Sequence, residues 1–196
     1  MLPLMPSVRF FYDLGSPYAY LTAERIDSVF GANTEVEWIP VLLGGIFKSN
    51  GRSSWAETAG RAAGIAEVEK RGAARGLPPF KWPGNWPNNG LTAMRVAVYA
   101  HEQDAGRRFA HEAFYEQFTL GNELSETTNI ASAAERAGLD PEAALSAAAD
   151  PRIKKILIEN TGEAIELGVI GVPSVAIGTT VYWGDDRLGE AIADLK

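Results

Sequence analysis

The chain has no cysteine and only two histidines among its 196 residues. Without cysteine there are no disulfides, no thiolate metal sites, no cysteine nucleophile and no redox cycling by the protein itself. Any thiol chemistry must come from a bound molecule. His101 and His111 do not stand at metal-ligand spacing, and no HExxH, P-loop or GxGxxG pattern occurs, so neither a metal nor a nucleotide cofactor is expected. Basic charge is scarce too: 18 Lys and Arg against 25 Asp and Glu leave a net charge of −7. That balance counts against nucleic acid and anionic membrane as partners. Long apolar runs are missing. The longest, WIPVLLGGIF, is about half of the ~20 residues a membrane helix needs. The opening MLPLMPSVRF has two prolines and no basic segment of the kind that begins a signal peptide. These absences point to a cytoplasmic protein. What remains, 46% hydrophobic and 22% charged residues, suits one soluble domain with a full core, or a domain carrying a large insertion.

Strand patterns occur only near the two ends. Val8 to Asp13 reads as a buried strand, and Thr34 to Val41 alternates Val36, Trp38 and Pro40 with Glu35, Glu37 and Ile39. Between them Ser16 reads as an N-cap, Pro17 as a first helical residue, and Pro17 to Phe30 as one amphipathic helix. The result is a βαβ unit with parallel strands. Helical patterning then runs through Trp55 to Arg75, Leu91 to Gln103, Arg107 to Leu120, Asn129 to Ala137, Pro141 to Ala149 and Arg152 to Leu167. Asp140-Pro141 and Asp150-Pro151 mark two starts, and Gly138 and Gly168 mark two stops. Gly44-Gly45 reads as a bend. Pro173 to Ile177 and Thr180 to Trp183 form a hairpin, and Asp185 to Leu195 reads as a last helix capped by aspartate. The expected fold is α/β, with residues 1–52 and 169–196 in one domain and residues 53–168 inserted as helices.

Four segments carry chemistry. In FYDLGSPYAYL, Ser16 either only caps its helix or, with the helix N-terminus, holds an anion. In GVPSVAIG, a proline heading a buried strand is either an edge residue or the cis residue of a site where the Val172 backbone pairs with an extended ligand. In YWGDDRL, Asp185 and Asp186 either cap a helix or hold an ammonium group. In FKWPGNWPNNG, Trp82 and Trp86 are either packing material or a pocket wall.

Together with NGLTAMR at residues 89–95, FYDLGSPYAYL, GVPSVAIG and YWGDDRL resemble the kappa-class glutathione transferases and 2-hydroxychromene-2-carboxylate isomerases, relatives of the disulfide oxidoreductase DsbA. The resemblance covers nearly the whole chain. It implies a thioredoxin-like fold with a large helical insertion, in agreement with the element order. Ser16 would then stand where redox relatives carry the first cysteine of a CxxC pair, and would stabilise the thiolate of bound glutathione or another small thiol. Lowering a thiol pKa of ~8.5 by two units needs about 2.7 kcal/mol. One hydrogen bond to a charged group, about 1.5–3 kcal/mol, with a helix-terminus contribution of about 0.3–1, is sufficient.

The resemblance also implies a thiol site at Ser16, Pro17 and Tyr18, with Val172 and Pro173 pairing with the cysteinyl part and Asp185 and Asp186 meeting the γ-glutamyl end. Lys48 is a candidate anion partner. Arg52, with Asn50 nearby, occupies the place where relatives often carry an asparagine. Tyr20, Trp82, Asn85 and Trp86 are the candidate contacts to an aromatic substrate. An isomerase of an aromatic oxo acid is the leading expectation, acting by transient thiolate addition, and a homodimer is implied by the relatives. A transferase and a cysteine-free scaffold that binds peptides along the Val172 edge are the alternatives. No histidine base is evident for a serine hydrolase.

Overall fold

A computed structural model describes residues 7–195. Met1 to Pro6, which hold most of the segment tested for a leader, and Lys196 lie outside the described residues. Strand β1 (Val8–Tyr12) is apolar at four of its five positions because both of its faces are covered. It pairs parallel with β2 (Val36–Pro40) in the register Val8 to Val36 through Tyr12 to Pro40. On its other side it pairs antiparallel with β3 (Ser174–Ile177), which turns back into β4 (Thr180–Trp183). The sheet order is β2-β1-β3-β4.

The expected helix from Pro17 to Phe30 is two helices, α1 (Pro17–Ala23) and α2 (Ile26–Phe30). The break has a long-range cause. The Thr22 hydroxyl and the Arg25 guanidinium both reach Asp185, and Arg25 leaves helical geometry at φ −133°. Gly44-Gly45 is not a bend but part of α3 (Leu43–Ser49). No side chain of its own caps this helix. Asp13 instead accepts the Leu43 N–H and Thr161 the Leu42 N–H, and Gly45 suits the close approach, since a Cβ there would meet the Thr161 methyl at 3.2 Å.

The expected Trp55 to Arg75 helix is interrupted as well. A 3-10 turn, Trp55–Glu57, is separated from α4 (Arg61–Ala74) by Thr58, whose side chain bonds Trp55 and Gly60 locally and competes with the helix. Helices α5 (Leu91–Glu102), α6 (Gly106–Phe114), α7 (Thr127–Arg136), α8 (Pro141–Ala147) and α9 (Pro151–Glu166) follow the sequence pattern to within a few residues. Asp140 and Asp150 do cap α8 and α9, accepting from Ala143 and Arg152 at 2.8 and 2.7 Å. Helix α6 widens into a π-helical turn, Tyr115–Leu120, which brings the buried Gln117 amide onto the Leu14 carbonyl.

The last expected helix begins as a 3-10 turn, Asp185–Arg187, and continues as α10 (Leu188–Ala193). Asp185 does not cap it: no side-chain cap bond forms there. Successive residues of β1 serve the two faces of the sheet. Phe10 and Tyr12 join Trp38, Met94, Phe114 and Phe118 in one large cluster, while Phe11 packs with Val41, Ile46, Val172 and Ala176 on the other face. No helix among the described residues is long and apolar enough to cross a membrane.

Candidate active site

The chain leaves β1 through a turn in which three successive N–H groups are hydrogen-bonded. Leu14 N–H donates to the Met94 sulfur, Gly15 N–H to the Asp13 carboxylate and Ser16 N–H to the Asp13 carbonyl. Ser16 is therefore held firmly at the head of α1. Its hydroxyl accepts the Ala19 N–H at 3.2 Å and reaches the Val172 carbonyl at 3.5 Å. The second contact is long, so its hydroxyl hydrogen is easily redirected to a better acceptor. Because α1 has only seven residues, the hydroxyl rather than a long helix dipole dominates here.

The Val172-Pro173 bond is cis. The Pro173 carbonyl is taken by Gly184 N–H at 2.9 Å, whereas Val172 N–H makes no hydrogen bond among the described residues. Ser16, Pro17, Tyr18, Val172 and Pro173 all line a cavity of 830 Å³. Lys48 and Arg52 enter it from α3 and the following loop. Arg52 lies 4.4 Å over the Trp183 ring, while the Asn50 amide is spent on the Ile46 carbonyl.

The two adjacent aspartates differ. The Asp185 side chain is fully buried. Arg75 grips both of its oxygens at 2.8 and 2.6 Å, Arg71 lies at 3.5 Å and Arg25 at 3.6 Å, and Thr22 donates to it at 3.2 Å. This corrects the expectation that the Asp185 carboxylate meets an ammonium group, because its lone pairs are already engaged. Asp186 is exposed on the same cavity and stays available.

Part of the cavity lining is aromatic. Trp55 packs on Tyr18 and Trp86 at 6.1 and 5.4 Å, with Arg71 over Tyr18 and Arg61 over Trp86. Burial raises the Tyr18 pKa, partly offset by Arg71. Trp86 also donates its indole N–H to the Gly15 carbonyl at 3.0 Å, which ties the aromatic loop to the serine turn.

Three expected substrate contacts are not on the cavity. Tyr20 is buried among Phe80, Phe114 and Phe118, because α1 turns that face into the core. Trp82 stands behind Trp86 and bonds Glu69, and Asn85 is exposed beyond the loop. Trp55, Asn88 and Trp183 border the cavity in their place, and Asp13 lies at its edge with both carboxylate oxygens taken by main-chain N–H groups. Trp55 and Trp183 sit at the ends of segments already rich in signal, KSNGRSSW and YWGDDRL. Asn88 and Asp13 carry no pattern that separates them from ordinary turn residues.

The family model of the DSBA-like thioredoxin domain matches residues 7–195. The chain belongs to that family. Within this DSBA-like family it is 26% identical to glutathione S-transferase kappa 1 of Caenorhabditis elegans over 99% of this chain and 92% of that one. It is 27% identical to glutathione S-transferase kappa 1 of Homo sapiens, over 100% and 92%. It is 23% identical to 2-hydroxychromene-2-carboxylate isomerase of Sphingobium xenophagum, over 93% and 94%. A solved 2-hydroxychromene-2-carboxylate isomerase superposes with a TM-score of 0.86 at 20% identity, covering 96% of this chain and 93% of that one. The thioredoxin-like fold with many added helices is thereby established for this DSBA-like chain, and its curated relatives are named as enzymes.

Proposed function

We propose that this chain is a glutathione-dependent isomerase of an aromatic oxo acid. The observation that carries the reading is the meeting of the Ser16 hydroxyl with the Val172 backbone at 3.5 Å, in a cavity of 830 Å³ that aromatic side chains also line. That volume lies within the range of about 300–1,000 Å³ for small-molecule sites. The unpaired Val172 N–H suits an extended, peptide-like ligand. Asp186 suits its ammonium end, and Lys48 and Arg52 suit a carboxylate. Bound glutathione would supply a thiolate that adds to the conjugated acid, lets the former double bond rotate, and is released unchanged. Ser16 turns its hydroxyl from Val172 to the sulfur and stabilises its charge. Tyr18, Trp55 and Trp86 hold the planar acid and exclude water.

A kappa-class-like transferase is the second reading, favoured by the names of the relatives at 26% and 27% identity. The deciding experiment titrates reduced glutathione into wild type and Asp186→Ala, followed by tryptophan fluorescence and melting temperature. Trp55, Trp86 and Trp183 all border the cavity and report on its filling. Saturable binding, weakened in the variant, is expected. Parallel assays of isomerisation and of conjugation to an electrophile then separate the two readings. No binding at millimolar glutathione would overturn both and favour a non-catalytic peptide-binding scaffold.

A further inference from the structure

We infer that Asp13 is a positioning residue that fixes the activating serine against the cationic side of the cavity; the inference rests on the thiol reading. Its carboxylate joins two main-chain segments 30 residues apart. Oδ1 accepts the Gly15 N–H at 2.8 Å and Oδ2 accepts the Leu43 N–H at 2.9 Å. Its own carbonyl takes the Ser16 N–H at 3.0 Å. One residue thus sets the serine turn and also starts α3, the helix that leads to Lys48 and Arg52. Leu42, the residue before α3, offers no capping side chain, and Thr161 serves the Leu42 N–H rather than that of Leu43.

The chemistry explains the residue type. An ionised carboxylate presents two acceptor oxygens and no donor, whereas an amide presents one oxygen and sets N–H against N–H at the other contact. Reach matters as well: a Cβ on Gly15 would lie 3.3 Å from Asp13 Oδ1, so the turn runs close over the carboxylate. Burial raises the pKa of this carboxyl, and the two N–H donors pull against that rise. A hydrogen bond weakens steeply with misalignment. A small displacement of the Ser16 turn therefore costs thiolate stabilisation, while Val172, on a different segment, still pairs with the peptide backbone of the ligand.

The test compares Asp13→Asn and Leu43→Pro with wild type. The second variant deletes the α3 donor and also shortens a side chain that borders the cavity, so Leu43→Ala, which keeps the N–H, is its control. Proline is tolerated at a first helical position, and Leu42 is already extended at φ −90°, ψ 104°. Two quantities are measured in each: the fraction of bound glutathione present as thiolate at neutral pH, from its ultraviolet absorbance, and the affinity for S-methylglutathione, which has no ionisable thiol. The expected result is a fall of about tenfold in the bound thiolate-to-thiol ratio, equivalent to one pKa unit, in both variants, with S-methylglutathione bound as by wild type. An unchanged ratio in variants that still bind glutathione would overturn the positioning role and leave the thiol reading intact. Equal weakening of both ligands would overturn it in favour of general structural support. A wild-type chain that binds neither ligand would overturn the thiol reading, and the positioning role with it.

Discussion

The wall that carries Ser16 and Val172 is held by main-chain hydrogen bonds, whereas the wall that carries Tyr18, Trp55 and Trp86 is held by ring contacts and arginines. The first fixes atoms to within a bond's tolerance, as the proposed chemistry at one sulfur would require. The second fixes only a surface, which accepts planar molecules of differing outline. Asp185 joins the two, since it sits beside Asp186 on the cavity and pairs with Arg71 of α4 and with Arg75 just beyond it.

Breaking that joint should have the largest effect. Asp185→Ala leaves three arginines facing one another without their anion, and a buried pair broken on one side costs about 3–5 kcal/mol. Chemical denaturation should show that loss, with Arg75→Met milder. The next effect tests the floor beneath the first wall, where Tyr12 bonds His101 at 3.2 Å. Burial, assisted by Arg107, holds the His101 pKa down at about 4. Between that value and an unfolded value of ~6.5 the unfolded chain binds more protons, so stability falls as pH drops through this window, by about 3 kcal/mol in all. His101→Gln should flatten the melting temperature over the same range.

Ser16→Ala comes third. It should lower kcat/KM by about 10- to 100-fold, the value of a hydrogen bond to a charged group, while melting temperature falls only by the loss of one cap. The smallest effect belongs to the aromatic wall. Trp55→Leu should raise KM for the aromatic acid by less than about tenfold, in line with ring-pair energies of about 0.5–1.5 kcal/mol, and leave glutathione affinity unchanged. If Trp55→Leu instead changed the ionisation of the bound thiol, the division between the walls would collapse.

Where a signal is local, the sequence is readable. Asp140 and Asp150 bond N–H groups two or three residues away, and their helices start where expected. Pro173 announces its cis bond because a buried strand has few uses for proline. The hairpin between Ile177 and Thr180 and the parallel pairing of β1 with β2 follow from the same short-range rules, whereas the pairing of β1 with β3 does not. The failures share a different cause. Leu43 is capped from 30 residues away, Arg25 leaves its helix for Asp185 at a separation of 160, and Asp185 is neutralised by Arg75 across 110. None of these partners is visible in a window of neighbouring residues. Tyr20 failed for a subtler reason: it sits two residues from Tyr18, and on a helix that spacing points to a different face.

The absence of cysteine has one more consequence. An oxidant that drives a thiolate up to sulfinic or sulfonic acid damages an enzyme permanently when the thiolate belongs to the chain. The hydroxyl of Ser16 is inert to that chemistry, and on the proposed reading the sulfur it serves would arrive with each ligand and depart with it. Oxidative wear at this centre would fall on a replaceable small molecule, and the protein would outlast the reagent it activates.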